Sequence, residues 1–279
     1  MRVAKEMLNI ELQPSYRMLK LSSRLLMNRF GIKLLNLNSA RMRGKNIEGL
    51  ACEEKFIPSR NAGPDIRIRI FKPLNHVGQL PVMLYCHGGG YFIGSPEEFM
   101  MVIKKFIDAK PCIIIAPDYR KSFDAPYPAA FNDCYDTLLW MNENKSLLGQ
   151  LSEQFIVAGH SAGGGLAAAV SLKATDTKDV KIAFQMPIYP MLDDRQNTES
   201  ATDNDAPNWD SKSNQLAWKN YLAQILEQGI ETPVYAAPAR ATNYANLPPT
   251  ITFVGDVEPF RDETVAYTQQ LMKSGIPVQ

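Results

Sequence analysis

The residues with the clearest chemical potential stand at 159–163, Gly159-His160-Ser161-Ala162-Gly163. They follow the apolar run 155–158 and lead through Gly164 and Gly165 into an alanine-rich stretch, 166–173. A G-x-S-x-G between a strand and a helix places serine at the apex of a sharp, strained turn, where it acts as a nucleophile. Glycine is needed two residues either side because side chains there would clash. The start of the helix also sets backbone N–H groups, with their partial positive charge, beside the hydroxyl. The bland counterpart is a glycine-rich turn holding an idle serine; the strand–turn–helix context favours the nucleophile. A second run, His87-Gly88-Gly89-Gly90-Tyr91, follows the apolar segment 81–85. Consecutive glycines lose more backbone entropy on folding than other residues, so something must need that backbone bare. In a serine hydrolase that need is an oxyanion hole. The N–H groups of Gly88, Gly89, Gly90 and Ala162 are the candidates, Gly89 and Gly90 first among the loop glycines, and one such donor contributes roughly 3–4 kcal/mol. A phosphate-binding loop competes, but the G-x-x-x-x-G-K-[ST] lysine and the G-x-G-x-x-G spacing are both missing.

Taken together, these two motifs resemble the hormone-sensitive-lipase-like group of α/β-hydrolases. Asp118-Tyr119-Arg120, Pro126-Tyr127-Pro128-Ala129-Ala130 and Asp133 resemble the stretch after that family's fourth strand. Leu247-Pro248-Pro249-Thr250 resembles the entry to its seventh strand, and Glu258-Pro259-Phe260-Arg261-Asp262-Glu263 its D-P-L-x-D-E block. The resemblance runs from about residue 50 to the end. It implies an α/β-hydrolase fold, a mostly parallel sheet with helices on both faces and a helical cap. The cap pieces would be 1–50 and an insertion at 192–244; the core would be 51–191 with 245–279. It also implies a carboxylesterase or lipase acting on small or short-acyl esters, without metal or cofactor. Glu258 then takes the place of the family's catalytic Asp, with Asp256 as the alternative acid. Asp262 is expected to pair locally or cap a helix.

The histidines do not complete this picture. The fold orders its triad as Ser, acid, His, yet no histidine follows Glu258. His87 belongs to the glycine loop, where the resemblance implies a loop-holding role. His160 is expected to point away from the Ser161 hydroxyl, and His76 to be solvated. The chain ends on Gly275-Ile276-Pro277-Val278-Gln279, which reads as a helix C-terminal glycine and the opening of a strand. The expectation is a chain cut short, lacking an eighth strand and the histidine loop after it. That would expose 251–254 as an apolar edge open to aggregation or to pairing with another chain. Activity would be crippled, since losing one triad member leaves only ~10³–10⁴-fold catalysis over water. The alternatives are a non-catalytic ligand-binding member of the fold, or a serine-dependent deacetylase or acyltransferase.

The elements that must position these residues are legible in the hydropathy pattern. Residues 65–71 alternate strictly and predict a half-exposed strand. The runs 81–85, 112–116 and 155–158 are short and apolar, and 182–186 and 250–254 repeat the style. Helix-length stretches at 97–109 and 128–144 separate the first three, and 261–274 is again helical. This alternation predicts a parallel sheet buried on both faces. The polar stretch 192–248 interrupts it and reads as a lid, with a helix at 211–228. Residues 1–50 read as amphipathic helix, with Met18, Leu19, Leu21, Leu25, Leu26 and Leu34 at helical spacing. A membrane-surface helix is one reading. Acidic residues and Pro14 break up a clean basic face, so a helix packed on the rest of the protein is the expectation.

Composition narrows the classes. The 279 residues are 45% hydrophobic and 21% charged with a net charge of +1, which fits a globular domain and gives no broad field for nucleic acid. Cys52, Cys86, Cys112 and Cys134 form no C-x-x-C pair; with no signal-peptide pattern, a reducing, cytoplasmic setting is expected. No apolar stretch reaches the ~20 residues of a membrane span.

Overall fold

A computed structural model describes residues 1–61, 63–149 and 155–279, with 22–24 described in the backbone alone. The chain opens with α1 (Tyr16–Leu26) and α2 (Arg29–Met42), followed by strands β1 (Leu50–Ile57), β2 (Ile66–Pro73) and β3 (Val82–Cys86). Then come α3 (Met100–Ala109), β4 (Ile113–Pro117), α4 (Ala129–Glu143), α5 (Lys145–Leu148), β5 (Phe155–His160), α6 (Ala162–Thr177) and β6 (Ile182–Ile188). The polar region after β6 holds α7 (Ser211–Tyr221) and α8 (Ala223–Gln228), and α9 (Arg261–Lys273) closes the order.

Among the described residues six strands form one sheet in the order β1-β2-β4-β3-β5-β6. β2 runs antiparallel to both its neighbours; β4, β3, β5 and β6 are mutually parallel. The continuous apolar runs have a simple cause, since alternate residues face opposite, equally buried layers. In β4, Ile113 and Ile115 join the layer that includes Leu138 of α4 and Val170 of α6. Ile114 and Ala116 join the layer containing Ile103 and Ile107 of α3.

Four expectations change. β2 alternates as predicted but is not half-exposed. Arg67 and Arg69 are buried, Arg69 to 1% exposure, because Glu97 binds both guanidinium groups and Arg67 also reaches Glu54 and Asp118. The polar row thus faces an internal ion network, which alternation alone cannot distinguish from water. β1 carries Glu53-Glu54-Lys55 and pairs only with β2, so no alternating pattern announced it. Residues 250–254 make isolated bridges rather than a regular strand. They run beside β6 through Ile251 N–H to Gln185 O (3.0 Å), and 277–279 cover their other side, with Gln279 N–H donating to Thr250 O (3.0 Å). The start of this segment is therefore paired on both sides, while Phe253 stays exposed. Lastly, the helix expected at 211–228 is two, broken at Leu222.

The two N-terminal helices pack unequally. α2 buries Gly31, Ile32 and Ser39, but no described side chain of α1 is buried.

Candidate active site

β5 ends at His160 and α6 begins at Ala162, so Ser161 alone makes the turn. Its φ of 56° and ψ of −124° lie outside the ordinary L-residue regions, a strain on the order of 1–3 kcal/mol that surrounding structure must hold. Three backbone bonds hold it. Ser161 N–H donates to Ile188 O (3.0 Å), and Ser161 O accepts from Gly165 N–H (3.1 Å) and Met191 N–H (3.0 Å). The flanking glycines are required by contact: a β-carbon at Gly159 would lie 2.2 Å from Gly163 O, and one at Gly163 2.1 Å from Cys86 O. Among the described residues nothing hydrogen-bonds the Ser161 hydroxyl.

The glycine loop leaves β3 and folds back at once. Gly89 O accepts from Phe92 N–H (3.1 Å) and Ile93 N–H (2.9 Å). Gly89 has φ +117°, and a β-carbon there would sit 2.1 Å from Ile93 O. The N–H groups of Gly88, Gly89, Gly90 and Ala162 have no acceptor among the described residues. Two segments distant in sequence brace this loop. Asn36 of α2 donates to Phe92 O (2.9 Å). The Trp209 indole lies against Gly90, where a β-carbon would come within 2.4 Å of it.

His87 is locked into the same loop. Its Nδ1 donates to Gly88 O at 2.7 Å, and its Nε2 accepts from the Lys121 ammonium at 3.2 Å. The ring stacks on Tyr119, with centroids 4.2 Å apart. Burial, and then the Lys121 cation, hold it well below the usual histidine range, so it is neutral. Lys121 also donates to Asp118 (3.1 Å) and to the Tyr119 carbonyl. A peptide unit is planar and trans, so a pinned Gly88 carbonyl turns the Gly89 N–H to the opposite side. Lys121 therefore orients a donor through His87. No sequence signal marked Lys121, which sits in a stretch of polar residues.

His160 faces a different way. Its Nδ1 lies 2.8 Å from the Tyr85 hydroxyl, and its ring packs edge-on to Phe99 and Tyr189. Burial lowers its pKa to about 4. The folded state thus resists a proton that the unfolded chain accepts near 6.5. The resulting stability is present above pH 6.5 and falls as pH drops toward 4, by roughly 3 kcal/mol at most. Urea titrations between pH 7 and 4 should show that loss, and His160→Gln should remove it; parallel curves for the two proteins would refute the assignment. His76 is exposed in the loop after β2. None of the three histidines contacts the Ser161 hydroxyl.

The acidic block lies across β6 from the elbow. Glu258 accepts from Gly255 N–H (3.0 Å) within a tight turn. Burial raises its pKa, a trend this bond opposes; the Tyr189 phenol is raised by its own burial and then by the Glu258 charge. Tyr189 follows Ile188, whose carbonyl holds Ser161. Asp256 is exposed. Asp262 pairs locally with Arg261 (2.8 Å) and also accepts from Ser200 N–H (2.8 Å), which ties it to the segment after β6. Glu263 is buried and accepts from Leu192 N–H (2.7 Å), beside the Met191 that holds the Ser161 carbonyl. Burial raises it well above the carboxylate range.

With this geometry in place the comparisons are direct. Residues 83–279 match the family model described as alpha/beta hydrolase fold. The chain belongs to the alpha/beta hydrolase fold family. This α/β-hydrolase is 34% identical over 221 residues to esterase LipI of Mycobacterium tuberculosis, covering 78% of this chain and 68% of LipI. It is 31% identical over 219 residues to carboxylesterase NlhH of the same organism, covering 77% and 68%. Among solved structures a bacterial heroin esterase superposes with a TM-score of 0.82 at 31% identity, over 95% of this chain and 87% of that one. By family the chain is a carboxylesterase-type hydrolase of the hormone-sensitive-lipase-like kind.

Proposed function

We propose that this α/β-hydrolase cleaves small or short-acyl carboxylic esters through a serine acyl-enzyme. The observation that carries the reading is a strained serine with an unengaged hydroxyl beside backbone N–H groups that have no acceptor. With a histidine supplied, Ser161 attacks the ester carbonyl and passes its proton to that imidazole, which Glu258 orients. The oxygen that becomes negative is held by the N–H groups of Gly89 and Gly90, with Gly88 adjacent, and by that of Ala162. The tetrahedral intermediate collapses, and the imidazolium gives its proton to the leaving alcohol. Water, deprotonated by the same imidazole, then releases the acid and restores Ser161. Glu258 is favoured over Asp256 because it is partly buried and fixed at the turn, whereas Asp256 projects into solvent. No metal or cofactor enters these steps, and a cytoplasmic setting suits the four free cysteines.

With its three histidines placed elsewhere, the 279-residue chain is proposed to turn over esters weakly. That same observation favours a second reading, a fold member that binds a small ligand without cleaving it. Treatment with a fluorophosphonate separates the two. Slow, stoichiometric modification of Ser161, abolished in Ser161→Ala and located by peptide mass spectrometry, supports the hydrolase. An unmodified Ser161 together with saturable binding of a small carboxylic acid supports the ligand binder. Product analysis with an added alcohol distinguishes hydrolysis from acyl transfer.

A further inference from the structure

We propose that the two N-terminal helices form a docking surface for an anionic lipid bilayer. α1 turns Met18, Leu21 and Leu25 outward, and α2 does the same with Phe30, Leu34 and Leu37. Spacings of three and four residues put each trio on one helical face. All six side chains are between 51% and 79% exposed, so these rows do not hold the helices to the protein. Apolar rows of this kind on a protein surface mark an interaction site rather than ordinary scatter.

Charge identifies the partner. Residues 1–45 contain ten Lys and Arg against two Glu, a net +8, although the whole chain is +1. The other 234 residues therefore carry −7. Glu6, Glu11 and Pro14 all precede Tyr16, so they interrupt neither helix. Arg17, Arg29, Lys33 and Arg41 are exposed and make no ion pair among the described residues. By contrast Arg2 and Lys20 bind Asp205, and Arg43 binds Asp118. A second copy of this chain, meeting the patch by two-fold symmetry, would bring the same positive charge to it. An anionic leaflet brings the opposite charge and accepts apolar side chains at the headgroup boundary. Among the described residues no helix is long and apolar enough to cross a membrane, so the contact is peripheral. It does not depend on the hydrolytic reading.

The test is co-sedimentation of the 279-residue chain with vesicles of phosphatidylcholine alone, or of phosphatidylcholine containing about one-third phosphatidylserine. Partitioning onto the anionic vesicles should be at least about tenfold greater, and the difference should vanish near 0.5 M salt, where the screening length is only a few ångströms. Replacing Arg29, Lys33 and Arg41 by Gln should erase the preference for anionic lipid. Replacing Met18, Leu21 and Leu25 by Ser should lower binding to both vesicles. All six positions are exposed, so the far-ultraviolet dichroism and urea midpoint should stay unchanged and show that the variants fold. Equal partitioning onto the two vesicle types would overturn the proposal. So would a dimer in lipid-free solution that the serine variant dissociates, since a second copy would then be the occupant.

Discussion

Ester turnover by the 279-residue chain should rise roughly 10⁶-fold when it is extended by a segment that carries an imidazole to the Ser161 hydroxyl. The size follows from how a triad acts. Nucleophile and base are useful only together, so removing either costs about as much as removing both. Here the nucleophile side is assembled: the turn is strained, its carbonyl and N–H are clamped, and four N–H donors are unspent. The base side is not, because His87 is bound at both nitrogens and His160 faces Tyr85. Ser161→Ala in the extended chain should return turnover to the starting level. Glu258→Gln there should cost about 10⁴-fold, the scale seen when a triad acid loses its charge, while Asp256→Asn should cost little. The measurement is initial-rate hydrolysis of 4-nitrophenyl acetate. Comparable rates with and without the histidine would sink the mechanism, and a larger loss from Asp256→Asn would reassign the acid.

Gly89→Ala should lower kcat of that extended chain by about 10²–10³-fold, the range for loss of one oxyanion donor, with a much smaller change in KM. The added carbon meets the Ile93 carbonyl at 2.1 Å in a backbone with φ +117°. The turn must open, and the Gly89 N–H turns away from the side that His87 fixes. Stability should fall as well, by about 1–3 kcal/mol for an overpacked site. Urea unfolding measured beside the kinetics separates the two effects. A variant destabilised by that amount but still folded, with unchanged kcat, would remove Gly89 from the hole.

Much of the site is legible in the sequence. The elbow was legible because three constraints coincide in five residues: an apolar strand before, glycines two away on each side, and a helix after. β3, β4 and β5 were legible because both their faces are buried, which leaves an unbroken apolar run. What was not legible depends on contacts between residues far apart in sequence. Arg67 and Arg69 look like a solvent row until Glu97, some thirty positions away, neutralises them. Lys121 looks like a surface lysine until its ammonium is found against His87. The exposed row of α1 is hard to read from sequence because Glu6, Glu11 and Pro14 lie close by, although the helix begins only at Tyr16.

The placement of Trp209 has one further result. Its indole borders Gly90, yet it comes from the stretch after β6, which adds no strand to the sheet. The indole fills the space that a side chain at residue 90 would otherwise take. A smaller residue at 209 would therefore open room beside Gly90 from a segment outside the sheet. The clamps on Ser161 are backbone bonds with Ile188, Gly165 and Met191, so that change would leave the strained turn in place.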